Sequence, residues 1–222
     1  MLTEREIEEL RAHPLSYANI GGLVGNTEAI EHEHYEAYWT PILGLGSFIF
    51  LHRTMLNQYQ PNPMLSTRSN GYKLHVSVYD PGDDNGNLEQ AWDIFVKCVL
   101  RHDIYHVKII APRCREILRR DDAERGKEIT IYAFKEARPT EQWQRFLQEL
   151  TKEFIAHGIV PGRLPPGDAC ITGSGYFSYR NDSSDFSLAD PFKAISLTDI
   201  EQPRRTLIEG DTEERAGIAP TQ

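Results

Sequence analysis

Tyr72-Lys73-Leu74-His75-Val76-Ser77-Val78-Tyr79 is the stretch on which the fold turns. Tyr72, Leu74, Val76 and Val78 take one face of a strand, and Lys73, His75, Ser77 and Tyr79 the other. The alternation is clean, and it sets Lys73 and His75 on the same side, two residues apart. Downstream, residues 81–87 are turn-rich. Leu88, Ala91, Trp92, Phe95, Val96 and Val99 then recur at helical spacing, with Asn87 as the predicted N-cap. A second strand is predicted over 104–111, and Pro112 suits the first turn of a short helix ending near Arg120. A third strand is predicted over 128–134, with Thr130 and Tyr132 opposite Ile129 and Ile131. Thr140 is placed to cap a long helix whose stripe is Trp143, Phe146, Leu147, Leu150, Phe154 and Ile155, and Gly158 stops it. Residues 175–180 read as a last strand.

Upstream, residues 47–52 form a β-rich run, and residues 14–46 are rich in Gly, Pro and polar groups, with a helix predicted over 28–38. Thr3 and Glu6 make a capping box for a short helix reaching Ala12. After Asn181 the chain is polar and charged, and its last dozen residues are predicted to be disordered. Strands that do not alternate regularly with helices imply an α+β fold: one domain, with a mixed or antiparallel sheet flanked by helices. The division expected is an N-terminal extension over 1–46, a catalytic domain over 47–182 and a C-terminal segment over 183–222.

The 222 residues suffice for a full core, and a formal net charge of −9 opposes general nucleic-acid binding. Three scattered cysteines form no disulfide framework, which points to a reducing compartment. The acidic start lacks the apolar core of a secretory signal, and the greasy run 38–51 is broken by Pro41, Gly44 and Gly46, so no membrane span is expected. The location implied is the bacterial cytoplasm, or a host cell if the protein is delivered there.

Chemistry concentrates on strand faces. Lys73 and His75 share one side of their strand; His106 and Lys108 share a face of the next, hemmed in by Val107, Ile109 and Ile110. Arg119 and Arg120 end the following helix, Tyr132 lies on a polar face, and Arg180 closes the last strand. Singly, each has an ordinary explanation, since strand lysines snorkel and strand histidines pack. Apolar flanks set Lys108 apart, because a desolvated lysine among cations can act as a base.

Four segments occur in order: Lys73-Leu74-His75-Val76-Ser77-Val78, Gly126-Lys127-Glu128-Ile129-Thr130-Ile131-Tyr132, His157-Gly158-Ile159-Val160 and Tyr176-Phe177-Ser178-Tyr179-Arg180-Asn181. Over residues 47–182 the chain resembles the bacterial phosphothreonine lyases, which include injected effectors and have related modules in lanthipeptide synthetases. The resemblance implies that Lys108 is the general base, His75 the general acid, and Tyr132 the tyrosine beside the base. It places phosphate binding on Lys73, Arg180 and Arg120, the last by a two-residue insertion before Gly126, with Arg119 as its substitute. The implied substrate is a phosphorylated peptide or protein, with no cofactor or metal, no nucleic-acid or membrane partner, and a partner kinase in a biosynthetic setting.

The residue chemistry agrees. A neutral amine can take the weakly acidic Cα proton, cations can hold the phosphate, and a protonated histidine can serve the leaving oxygen. The product is dehydroalanine or dehydrobutyrine. The family's kinase-directed effectors use an arginine beyond the last block and a basic docking stretch. Residues 181–186 here lack Arg and Lys, and residues 1–20 are acidic overall. On that ground a lanthipeptide-precursor lyase ranks slightly ahead of a secreted effector inactivating host MAP kinases. A catalytically inactive phosphopeptide-binding module is the alternative of another class. A metal hydrolase would have to use His32-Glu33-His34 or His102 with His106. Gly173-Ser174-Gly175 reads as a turn, and Cys98 as a packed helix residue.

Overall fold

The computed structural model describes residues 4–42, 46–54, 71–79, 87–115, 126–133, 138–182 and 189–201. The helices are α1 (Glu4–Arg11), α2 (Tyr17–Gly21), α3 (Asn87–His102) and α4 (Thr140–Ala156). The strands are β1 (Ile30–His32), β2 (Tyr35–Ile42), β3 (Gly46–Arg53), β4 (Tyr72–Val76), β5 (His106–Ile110), β6 (Ile129–Tyr132), β7 (Ala169–Cys170) and β8 (Phe177–Asn181). They form one sheet in the order β1-β2-β3-β5-β6-β4-β8-β7, and every pairing is antiparallel. The α+β class holds.

The alternation in β4 sets the two sides. Leu74 and Val76 are fully buried, as are Ile49, Val107, Ile109, Ile129 and Ile131 on neighbouring strands. They join Trp92, Phe95 and Val99 of α3 and Trp143, Phe146, Leu150 and Phe154 of α4 in one core. Burying each such side chain contributes about 1.5–3 kcal/mol. The two long helices meet where Phe95 and Phe146 pack edge to face, 6.2 Å between ring centroids.

Residues ahead of 47 take part as well. Tyr17 donates its backbone N–H to Asp93 of α3 at 2.7 Å and its hydroxyl to the Ile110 carbonyl of β5 at 3.0 Å. Trp92 Nε1 donates to the Leu15 carbonyl at 3.0 Å. The N-terminal segment is thereby tied both to α3 and to the end of the strand carrying Lys108.

Three local expectations need correction. The helix over 28–38 is a hairpin instead: Ile30–His32 pairs with Tyr35–Ala37 around a turn in which Glu33 has φ 54°. The run of Glu and His imitates a solvated helix face, but Tyr35, Tyr38, Trp39 and Thr40 favour a pleated strand once β3 offers a partner. Thr140 is the first helical residue of α4, not its cap; Pro139 occupies that position, with φ −59° suited to entering a helix. Asn87, the other expected cap, lies within α3 and donates its amide to the Tyr79 carbonyl. The end expected to be disordered, and most of the helix expected after Pro112, fall outside the described residues.

Candidate active site

Opposed residues of an antiparallel pair share a face, so the register can be read straight across the sheet. Phe50 opposes Lys108, Lys108 opposes Thr130, Thr130 opposes His75, His75 opposes Ser178, and Ser178 opposes Cys170. These residues form a single row. In the next row, Tyr132 opposes Lys73 and Lys73 opposes Arg180. The Tyr132 ring meets His106 edge-on, with 5.1 Å between centroids, which extends this row toward β3. Lys108 and His75 are two strands apart, or about 10 Å at the backbone. That gap leaves room between the two side chains for a small group. Five of the expected site residues, Lys73, His75, Lys108, Tyr132 and Arg180, therefore lie on one face in two adjacent rows. Arg119 and Arg120 lie outside the described residues.

His75 is 1 % exposed, and its Nδ1 lies 2.6 Å from Asp168 Oδ2. The same oxygen accepts from Ser178 Oγ at 2.8 Å. A carboxylate can only accept here, so Nδ1 carries the hydrogen and Nε2 is the nitrogen available to a ligand. Burial pushes the His75 pKa below the ordinary imidazole range; the Asp168 hydrogen bond and charge oppose this, while Arg180 and Lys127 add to the lowering. A phosphate dianion nearby would reverse the balance, since opposite charge favours imidazolium.

Lys108 Nζ lies 3.9 Å from the Phe48 ring centroid, and Lys73 Nζ sits 5.6 Å from that of Tyr132. Tyr132 is 2 % exposed and stacks toward Phe50, itself stacked on Tyr38 at 5.6 Å. Phe48, Phe50 and Tyr132 form a buried aromatic floor beneath the cations, and a low-dielectric floor strengthens charge interactions above it. Lys73 and Arg180 converge on Asp182: Lys73 Nζ bonds Oδ2, and Arg180 Nε lies 2.7 Å from Oδ1. Burial alone would raise the Asp182 pKa, but the Lys73 hydrogen bond and the charges of Lys73 and Arg180 outweigh it and hold the carboxyl below its usual range. Asp182 thus occupies the two cations much as a phosphate oxygen pair would.

Sequence reasoning missed Asp168, Ser178 and Asp182. Asp168 sits in a Pro165-Pro166-Gly167 turn with no periodic signal, and Gly167 has φ 82° there. The other clusters take ordinary places. His102 Nε2 bonds Glu149 of α4 at 2.8 Å, away from His106. Ser174 Oγ accepts from the backbone of Tyr176 and Phe177, as a turn residue does. Cys98 is buried in α3. Among the described residues no group of three His, Cys, Asp or Glu side chains is placed to hold a metal ion, and no described helix is long and apolar enough to cross a membrane.

A family model described as OspF/SpvC matches residues 11–191. The chain belongs to the OspF/SpvC family. This is the phosphothreonine lyase family, whose enzymes are carbon–oxygen lyases. The OspF/SpvC match begins well before residue 47 and so takes in β1 and β2. The fold is similar to SpvC, described as an effector protein from Salmonella, at 17 % identity and TM-score 0.53 over 78 % of this chain and 84 % of that one. It is similar to the type III effector OspF from Shigella flexneri at 17 % identity and TM-score 0.53 over 79 % and 87 %. It also resembles VirA (SpvC) from Chromobacterium violaceum at 17 % identity and TM-score 0.52 over 78 % and 80 %. No curated protein matches the chain.

Proposed function

We propose that this protein β-eliminates phosphate from phosphothreonine or phosphoserine in a phosphorylated protein or peptide. The observation that carries the reading is the row placing Lys108 and His75 on either side of Thr130, with Lys73 and Arg180 one row away. Phosphate displaces Asp182 from Lys73 and Arg180 and takes their charge-assisted bonds. Arg120, or Arg119 in its place, supplies a further cation. Lys108, as the neutral amine, takes the Cα proton. The C–H electron pair becomes the Cα–Cβ double bond, the Cβ–O bond breaks, and His75 Nε2 protonates the departing bridging oxygen. Tyr132 steadies Lys108 and the charge that builds on the adjacent carbonyl. Dehydrobutyrine or dehydroalanine is left, without water or a metal in the step.

A protein substrate is favoured by the relatives. SpvC and OspF are both described as effectors as well as phosphothreonine lyases, which supports the effector reading over a lanthipeptide-precursor lyase. The acidic stretch 181–186 and acidic residues 1–20 argue for a target other than the doubly phosphorylated kinase loop, or for a different means of holding it.

The test is mass spectrometry of phosphothreonine and phosphoserine peptides, including a doubly phosphorylated MAP-kinase loop peptide, incubated with the protein in EDTA. Loss of roughly 98 Da with a thiol-trappable product is expected. Loss of roughly 80 Da, which regenerates the hydroxyl, identifies hydrolysis and refutes the reading. Binding without mass change identifies a phosphopeptide-binding module.

A further inference from the structure

Between the proposed base and the proposed acid lies a hydroxyl that the mechanism above does not use. Thr130 is 1 % exposed, and its Oγ1 is buried with no hydrogen-bond partner among the described residues. Its row neighbours on β4 and β8 are satisfied, His75 and Ser178 both by Asp168. A buried hydroxyl without a partner costs free energy that a valine of the same shape would avoid. β-branching explains why the strand accepts a threonine there, but valine fits a strand equally well. The hydroxyl is therefore what requires a role.

Position supplies one. Thr130 is the direct cross-strand neighbour of Lys108 on the site face, a separation at which opposed Cβ atoms are about 5 Å apart. A neutral lysine amine has two N–H donors and one lone pair, and it acts as a base only when the lone pair faces the substrate. An acceptor on the sheet floor holds one N–H downward and turns the lone pair up, toward a peptide lying over the row. We propose that Thr130 is a positioning residue whose Oγ1 accepts a hydrogen bond from the Lys108 amine during proton abstraction. The inference rests on the lyase reading and on Lys108 as its base. The Lys108 amine lies 3.9 Å from the Phe48 ring centroid, and a bond to Thr130 gives it the working orientation.

The experiment compares the full-length wild type with Thr130→Val and Thr130→Ser on a phosphothreonine peptide, measuring kcat, KM and the thermal midpoint. Thr130→Val is expected to keep or raise the midpoint and leave KM within about twofold, while kcat falls about tenfold to a hundredfold. Thr130→Ser restores most of kcat. If Thr130→Val keeps the wild-type kcat, the hydroxyl is idle and the proposal is overturned. A fall in kcat that tracks a lowered midpoint and is not rescued by serine also overturns it, since the role would then be packing. Absence of elimination by the wild type is read first; it removes the lyase reading itself, a result distinct from either failure of Thr130.

Discussion

Replacing Asp93 by asparagine should stabilise the protein, and by an amount that grows with pH. Asp93 is 8 % exposed on α3, and its Oδ1 accepts the Tyr17 N–H at 2.7 Å. Burial, ahead of the opposing Tyr17 hydrogen bond, pushes its pKa from 3.8 up to about 7, with Glu89 adding to the rise and Arg11 and Lys97 resisting it. In the window between these values the folded protein keeps a proton that the unfolded chain has released. Stability therefore falls as pH climbs through that window and levels off above it. A shift of about 3 pH units at 1.36 kcal/mol each makes the full penalty about 4 kcal/mol, an upper figure given water access to a side chain near the surface. Asparagine keeps an oxygen for Tyr17 and has no charge to desolvate. Urea midpoints of the two proteins should nearly coincide at pH 4 and separate progressively up to pH 7.5, with unchanged slope, to favour the asparagine variant by roughly 1–4 kcal/mol. The other groups titrate in both proteins, so the difference isolates Asp93. A variant less stable than wild type at pH 7.5, or a gap that does not widen with pH, would refute the reasoning. It would mean that the carboxylate is better paired than its burial implies.

Three further results are expected at the site. Lys108→Ala should abolish turnover while phosphopeptide binding, followed by fluorescence anisotropy, stays within a few-fold of wild type; an active variant would remove Lys108 as the base. Asp168→Asn takes away the charge that supports protonated His75, so kcat should fall at least about a hundredfold and the decline of activity on raising pH should begin at lower pH. An unchanged pH profile would sever His75 from the acid role. Asp182→Asn frees Lys73 and Arg180 from a partly exposed carboxylate, and KM should drop roughly two- to fivefold, measured by initial rates at low salt. A raised KM would show that Asp182 orders the cations rather than competing with phosphate.

Much of this site can be read in the sequence because strand alternation is local. The period of two in 72–79 and 128–134 puts Lys73 with His75, and Thr130 with Tyr132, without knowledge of any partner. Helical stripes in α3 and α4 are legible for the same reason, and together they imply the α+β core. The hairpin over 30–42 was not legible. Its acidic, His-rich start fits a helix surface equally well, and only pairing of Tyr35–Ile42 with Gly46–Arg53 decides for β. Asp168 lies 93 residues from the histidine it holds, in a turn whose composition announces only a turn.

By itself, then, the sequence determined which side chains share a strand face, where the apolar stripes run, and the family resemblance of four ordered segments. Tertiary structure decided the rest. Strand order brought β5 beside β6 and β6 beside β4, so that Lys108, Thr130 and His75 became neighbours in a row. Loop geometry delivered Asp168 to His75 and Asp182 to Lys73 and Arg180. The division has a physical cause: periodicity is written into a few consecutive residues. Register and loop placement depend on which distant segments bury one another, and no single segment carries that energy.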